Sequence, residues 1–227
     1  VDASGNILIA DTYNDRIRSV SPKTSTIGTI VGIGQTARLG DGGPATAAPL
    51  NYPEGIAIDR AGDLIVADSL HNRIRKVDVA AWTIRTVAGT GQKGFAGDNG
   101  AAASAELAVP KGVAVDAEGN ILFVDSLYRH VRKIAGGIIT TVAGNGDFGD
   151  GGENGPATQA QFRFPTAIAA DAAGNFFVAD IGNHRIRRIE ALSQIIRTVA
   201  GTGMQGFSRD DIQAADSQLN SPYGVAV

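Results

Sequence analysis

Two series of carboxylates recur along the chain and are its clearest source of chemistry. Asp11, Asp68, Asp125 and Asp180 each open a polar stretch, as in "DTYND" and "DSLHN". Asp41, Asp98, Glu153 and Asp210 each lie nine residues after a glycine that closes a "TIVG" or "TVAG" run: Gly32, Gly89, Gly144 and Gly201. Carboxylates repeated on one face can bind a cation or a basic partner. They also have a structural use, because an Asp that opens a turn accepts hydrogen bonds from backbone N–H groups two or three residues on. Such an Asp can pair with the arginine five residues later: Asp11 with Arg16, Asp68 with Arg73, Asp180 with Arg185. The first series reads as structural and the second as the better candidate for a ligand-binding rim.

His71, His130 and His184 fall near the same turn at three different offsets. A zinc site needs imidazoles that converge on one point. "GDGG" lacks the alternating oxygen ligands of a calcium loop, so no metal is assigned. His71, Tyr128 and His184 join the rim acids as candidate ligand contacts. Trp82 and Tyr128 do not repeat and are further contact points. No cysteine is present, which excludes thiol catalysis and disulfides. No nucleophile-and-base pair occurs, and the "GTG" at Gly89 and Gly201 follows a strand pattern with no helix behind it, unlike a phosphate loop. The expectation is no catalytic residue and no cofactor. A net charge of -3 and 6% aromatics argue against nucleic acid as a partner. No apolar run approaches the length of a membrane helix.

The elements that position these residues follow from a repeat. Anchored on Pro53, Pro110, Pro165 and Pro222, its spacings are 57, 55 and 57 residues, and four units account for residues 1–227 as one domain. In the second unit the strand candidates are Gly55–Asp59, Leu64–Ala67, Arg73–Val77 and Thr83–Ala88, and a hairpin turn of the "RAGD" or "ASGN" type joins the first two. A single helical turn is possible at "PATAA" and "PATQA", after Pro44 and Pro156. Four consecutive antiparallel strands in so long a repeat predict an all-β chain of four-stranded β-propeller blades. The turn between strands two and three and the connection to the next blade then share one rim. At the seam, Gly224–Val227 is a first strand without a blade, and residues 2–32 are strands two to four without a first. The expectation is that the termini pair (a velcro closure). The chain is then a four-bladed monomer, or else a head-to-tail oligomer.

"GNILIADTYNDRIRSV", "GDLIVADSLHNRIRKV" and "GNFFVADIGNHRIRRI" resemble NHL repeats, named for an Asn-His-Leu triplet. Asn183-His184 keeps the first two letters; the other units read Asn14-Asp15, His71-Asn72 and Arg129-His130. The resemblance implies a propeller, commonly of six blades, that serves as an interaction scaffold, with an extracytoplasmic or secreted setting slightly favoured. The expected function is non-catalytic binding of a protein or other ligand. The alternatives are a metal-dependent lyase or lactone hydrolase, or a segment of a larger array with no activity of its own. Such enzymes place metal ligands from several blades in the central channel. Here the inner strands read "GIAI", "GVAV", "AIAA" and "GVAV", which argues against catalysis.

Overall fold

A carboxylate closes the first hairpin of every repeat. In the computed structural model, which describes residues 1–35 and 39–227, Asp2, Asp59, Asp116 and Asp171 each accept the backbone N–H groups two and four residues on, at 2.8–3.0 Å. The glycine three residues on has φ between 82° and 88°, a conformation that costs glycine little. Short apolar runs flank these turns and pair as antiparallel strands.

The strands in chain order are β1 (Ile7–Asp11), β2 (Arg16–Val20), β3 (Ile27–Val31), β4 (Pro53–Ile58), β5 (Leu64–Asp68), β6 (Arg73–Asp78), β7 (Thr83–Ala88), β8 (Pro110–Val115), β9 (Ile121–Asp125), β10 (His130–Ala135), β11 (Ile138–Ala143), β12 (Pro165–Ala170), β13 (Phe176–Asp180), β14 (Arg185–Ile189) and β15 (Ile196–Ala200). They form one three-stranded sheet, β1-β2-β3, and three four-stranded sheets in which sequence neighbours pair throughout. Among the described residues the only helical elements are 3-10 turns. This all-β arrangement of antiparallel meanders is that of propeller blades.

The chain divides into two compact units, residues 1–113 and 114–227, with the division inside β8. In the first unit, Ile17 and Val31 of one sheet pack with Leu64, Val66, Val77 and Ile84 of the next, and Ala45, Ala48 and Leu50 of the connection complete the cluster. In the second unit Leu122, Val124, Ile168, Phe176, Val178, Ile189 and Ile196 pack around Phe162 of the connection. Alternate residues of each strand face these clusters, as a half-buried strand requires.

The long connections explain the length of the repeat. The connections after β3 and β11 each leave the last strand of one blade, pass through a 3-10 turn, Ala45–Ala47 or Ala157–Gln159, and lie along the outer strand of the next blade. Gly42 N donates to Ile84 O (2.8 Å) and Ala45 N to Trp82 O (2.8 Å); Asn154 N donates to Ile196 O and Ala157 N to Gln194 O in the second unit. The exposed edges of β7 and β15 are thereby covered, a common protection against edge-to-edge pairing.

The expected pairing of the termini is not shown. β1 has one strand neighbour, β2, and residues 222–227 form no strand. The terminal phrase does begin as the earlier ones do, with a left-handed residue before the proline (Ser221, φ 49°) and a hydrogen bond from Thr166 Oγ1 to Tyr223 O (3.0 Å).

Candidate functional site

The strand two–three turns do meet the connections, as the repeat predicts. In the second unit Asn183 Nδ2 donates to Gly149 O (2.7 Å) and Gly182 N to Arg163 O (2.7 Å). In the first, Leu70 N donates to Asn51 O (3.1 Å) and Asn51 N to Asp68 Oδ1 (2.7 Å).

The ion pairs at this rim differ from those expected. Each turn Asp meets the arginine seven residues on: Asp11 with Arg18 (3.3 Å), Asp68 with Arg75 (3.1 Å), Asp125 with Arg132 (3.6 Å) and Asp180 with Arg187 (3.7 Å). Asp68 and Arg73 are backbone partners across the ladder, yet the long Arg75 side chain reaches diagonally across the same face. Arg75, Arg132 and Arg187 are wholly buried. Burial of such a cation is costly unless it is compensated, and a rim acid helps to compensate two of the three. Asp41 pairs with Arg75 at 2.5 Å and Glu153 with Arg187 at 3.2 Å. Glu153 also accepts Thr198 N and Oγ1. Two of the four proposed rim acids are thus built into their blades. Asp210 lies exposed, as does Asp98.

The arginines expected to pair with the turn acids cap carbonyls instead. Arg16 donates to Asn14 O and Ile33 O, Arg73 to His71 O and Thr90 O, and Arg185 to Thr202 O, with Asp150 as a further contact. This accounts for the second glycine of "GIG" and "GTG". A Cβ at Gly34, Gly91 or Gly203 would fall within 2.6 Å of the guanidinium of Arg16, Arg73 or Arg185.

Asp180 shows what incomplete compensation does. Among the described residues the Arg187 guanidinium makes ion pairs but no hydrogen bond, whereas that of Arg75 donates to Leu39 O, Asp41 and Asp68. Burial pushes the Asp180 carboxyl up to about 6, against the N–H of Arg163, Asn183 and the Arg187 charge. Its folded value lies above the unfolded value near 3.9, so the folded state holds the extra proton between about pH 4 and 6. Stability from this group is therefore present at low pH and lost as pH rises through that window. We expect the urea midpoint of the wild type, relative to Asp180→Asn, to fall between pH 4 and 6 and then level; a flat difference would contradict this placement.

Three of the four residues that end a strand two–three turn act as latches. Asp15, Asn72, Arg129 and His184 all have left-handed backbone, φ 51–61°. The third unit therefore aligns Tyr128-Arg129, and not Arg129-His130, with Asn183-His184. Asp15 Oδ1 accepts Tyr52 N (2.7 Å), Asn72 Oδ1 accepts Val109 N (3.0 Å) and His184 Nδ1 accepts Ser221 N (3.0 Å). The acceptor meets the residue before Pro53, Pro110 and Pro222, whose φ is 49–56°, a region unfavourable for side chains such as Val109. His184→Ala should cost about 1 kcal/mol, and His184→Asn should restore most of it, measured by urea unfolding.

His71 Nδ1 contacts Asp68 Oδ2 at 2.9 Å, so His71 also serves the buried pair. His130 is buried, and Tyr128 is partly exposed at the rim. Among the described residues no three His, Asp or Glu are grouped to hold a metal ion.

Aromatic side chains occupy the rim instead, and the sequence reading passed over most of them. In the second unit Phe148 and Phe164 meet edge to face at 5.5 Å, and the Arg129 and Arg163 guanidinium groups lie over Phe148 at 5.4 and 4.6 Å. Phe164 is 55% exposed. Phe148, Arg163 and His184 border a groove. In the first unit Tyr13 and Tyr52 meet edge to face at 5.1 Å. The signal was available: Tyr52 and Phe164 both directly precede an anchor proline. One inner-strand carboxylate was also missed. Glu54, at the start of β4, pairs with Lys111 at 3.3 Å.

The sequence model of the Teneurin NHL domain matches residues 22–94 and 90–150, and that of the NHL repeat matches 162–189. "Protein SUPPRESSOR OF QUENCHING 1, chloroplastic" of Arabidopsis thaliana is 29% identical over all of this chain, which spans 22% of that protein. NHL repeat-containing protein 2 of Bos taurus is 26% identical over 97% of this chain and 34% of its own length. The chain thus spans about a fifth to a third of these curated relatives. Among solved structures, the gluconolactonase XC5397 of Xanthomonas campestris superposes with a TM-score of 0.62, at 15% identity, over 99% of this chain and 63% of that one. At that identity the likeness is one of fold. No helix among the described residues is long and apolar enough to cross a membrane.

Proposed function

Since the chain belongs to the NHL-repeat family, we propose that it is a non-catalytic binding scaffold whose working surface is the rim of strand two–three turns and long connections. The observation that carries this reading is the division of labour at the rim. Asp41 and Glu153 neutralise buried arginines, while Phe148, Phe164, Tyr13 and Tyr52 stay at least partly exposed. Exposed aromatics beside arginine are the residue types that anchor protein interfaces. The ligand is a protein or a small molecule that offers apolar groups, and a carbonyl or carboxylate for Arg163.

A lactone hydrolase, the activity named for the Xanthomonas relative in fold, would require ligands on the inner strands. The carboxylate at the start of β4 is Glu54, and it is engaged by Lys111. The scaffold reading is tested by affinity capture with three baits: wild type, Phe164→Ser and Leu192→Ser. Leu192 is fully exposed in the hairpin at the other end of its blade. We expect the partners of the wild type to be lost with Phe164→Ser and kept with Leu192→Ser. Capture unaffected by Phe164→Ser would overturn the rim assignment.

A further inference from the structure

Two residues at which one repeat departs from the others border the same cavity, on the rim opposite the aromatic one. The first is Arg60, in the turn that follows β4; the equivalent residue is Ala3, Ala117 or Ala172 in the other repeats. The second is Trp82, in the hairpin between β6 and β7, where Ser25 and Gln194 stand in the first and fourth repeats. Both line a cavity of about 510 Å³ within the first unit, whose walls are Leu8, Ile30, Ile58, Leu64 and Val79.

The fold does not ask for an indole at this position. Trp82 sits at φ 51°, as Ser25 and Gln194 sit at 55°, so the turn requires left-handed backbone and accepts small or polar side chains. A tryptophan there carries about 1–2 kcal/mol of conformational cost, and its side chain remains 45% exposed.

The charges around the cavity indicate which ligand. Burial alone would raise the Asp59 carboxyl, but the Lys76 ammonium (2.6 Å) and the N–H groups of Asp63 and Ala61 hold it below its usual range. Asp2 has both oxygens engaged, by Ser4 N, Asn6 N and Asn6 Nδ2. Arg60 lines the cavity, is exposed, and makes no ion pair among the described residues. We propose that this cavity binds a small amphipathic anion: an aromatic or alicyclic body packed against Trp82 and the apolar walls, with one carboxylate or sulfonate on Arg60. This site is independent of the rim surface and stands or falls without it.

Trp82 is the only tryptophan of the chain, so its emission reports the site directly. The probe is anilinonaphthalene sulfonate, with the uncharged N-phenylnaphthylamine as its comparison. The expected result is one saturable dye site per chain, with Trp82 emission quenched as dye emission rises. Trp82→Ser, which installs the residue of the first repeat, should weaken both dyes about tenfold, read from directly excited dye. Arg60→Gln should weaken the sulfonate about tenfold and leave the neutral dye unchanged. Circular dichroism confirms that both variants fold. Dye binding that ignores both substitutions, or that leaves Trp82 emission unchanged, would place the dye elsewhere and overturn the site. Equal loss of both dyes in Arg60→Gln would overturn its preference for anions.

Discussion

Replacing Asp68 with alanine is expected to lower the unfolding free energy by about 3–5 kcal/mol, measured by urea denaturation. Asp68 is fully buried and accepts Arg75, His71 Nδ1 and Asn51 N. Without it, the wholly buried guanidinium of Arg75 keeps Asp41 and the Leu39 carbonyl alone. Breaking a buried pair from one side is costly because the remaining charge stays out of water. Removing both sides is different: Asp68→Ala with Arg75→Met exchanges the pair for apolar volume, and such exchanges are often neutral. The double variant should therefore be more stable than Asp68→Ala. Asp41→Asn should cost only about 1 kcal/mol, since the Asp41 side chain is 42% exposed. A loss under about 1 kcal/mol for Asp68→Ala would refute this role of Asp68 in compensating Arg75.

Gly89→Ala is expected to cost about 3 kcal/mol or more. Gly89 closes the fourth strand of its blade at φ 96°, and a Cβ there would lie 2.3 Å from Asn72 O and 3.1 Å from Arg73 Cα. The next blade's connection begins at this point, with Gly89 N bonded to Ala102 O (3.0 Å). The backbone therefore cannot move aside cheaply. Gly62 provides the comparison: its φ is 88°, but a Cβ would meet nothing closer than 3.9 Å. Gly62→Ala should cost only the conformational part, about 1–2 kcal/mol. Equal losses at the two sites would show that close approach to Asn72 O is not what fixes glycine at position 89.

Much of the architecture was legible because the repeat states it four times. Strand candidates such as Leu64–Ala67 and Thr83–Ala88 agree with β5 and β7 to within a residue, and the single turn after Pro44 is formed. The grouping of turns with connections at one rim also follows from the meander. Partner choice was not legible. Arg73 and Arg75 lie on the same face of β6, and only the three-dimensional path of Leu39–Asp41 decides which one is buried. The latch at Asp15, Asn72 and His184 escaped notice because one role is filled by three side-chain types. Its requirement is an acceptor on a left-handed residue, which composition does not reveal. The terminal phrase 222–227 matches the first strands in sequence, yet it forms no strand.

The most direct test of the scaffold reading is the metal content of the purified chain after equilibration with zinc, calcium and magnesium, followed by extensive dialysis. Much less than one equivalent of any of these ions is expected, because Glu54 is held by Lys111 and the rim acids Asp41 and Glu153 serve buried arginines. One full equivalent retained by the wild type and lost in Glu54→Gln would contradict it, and would place a metal-dependent site on the inner strands.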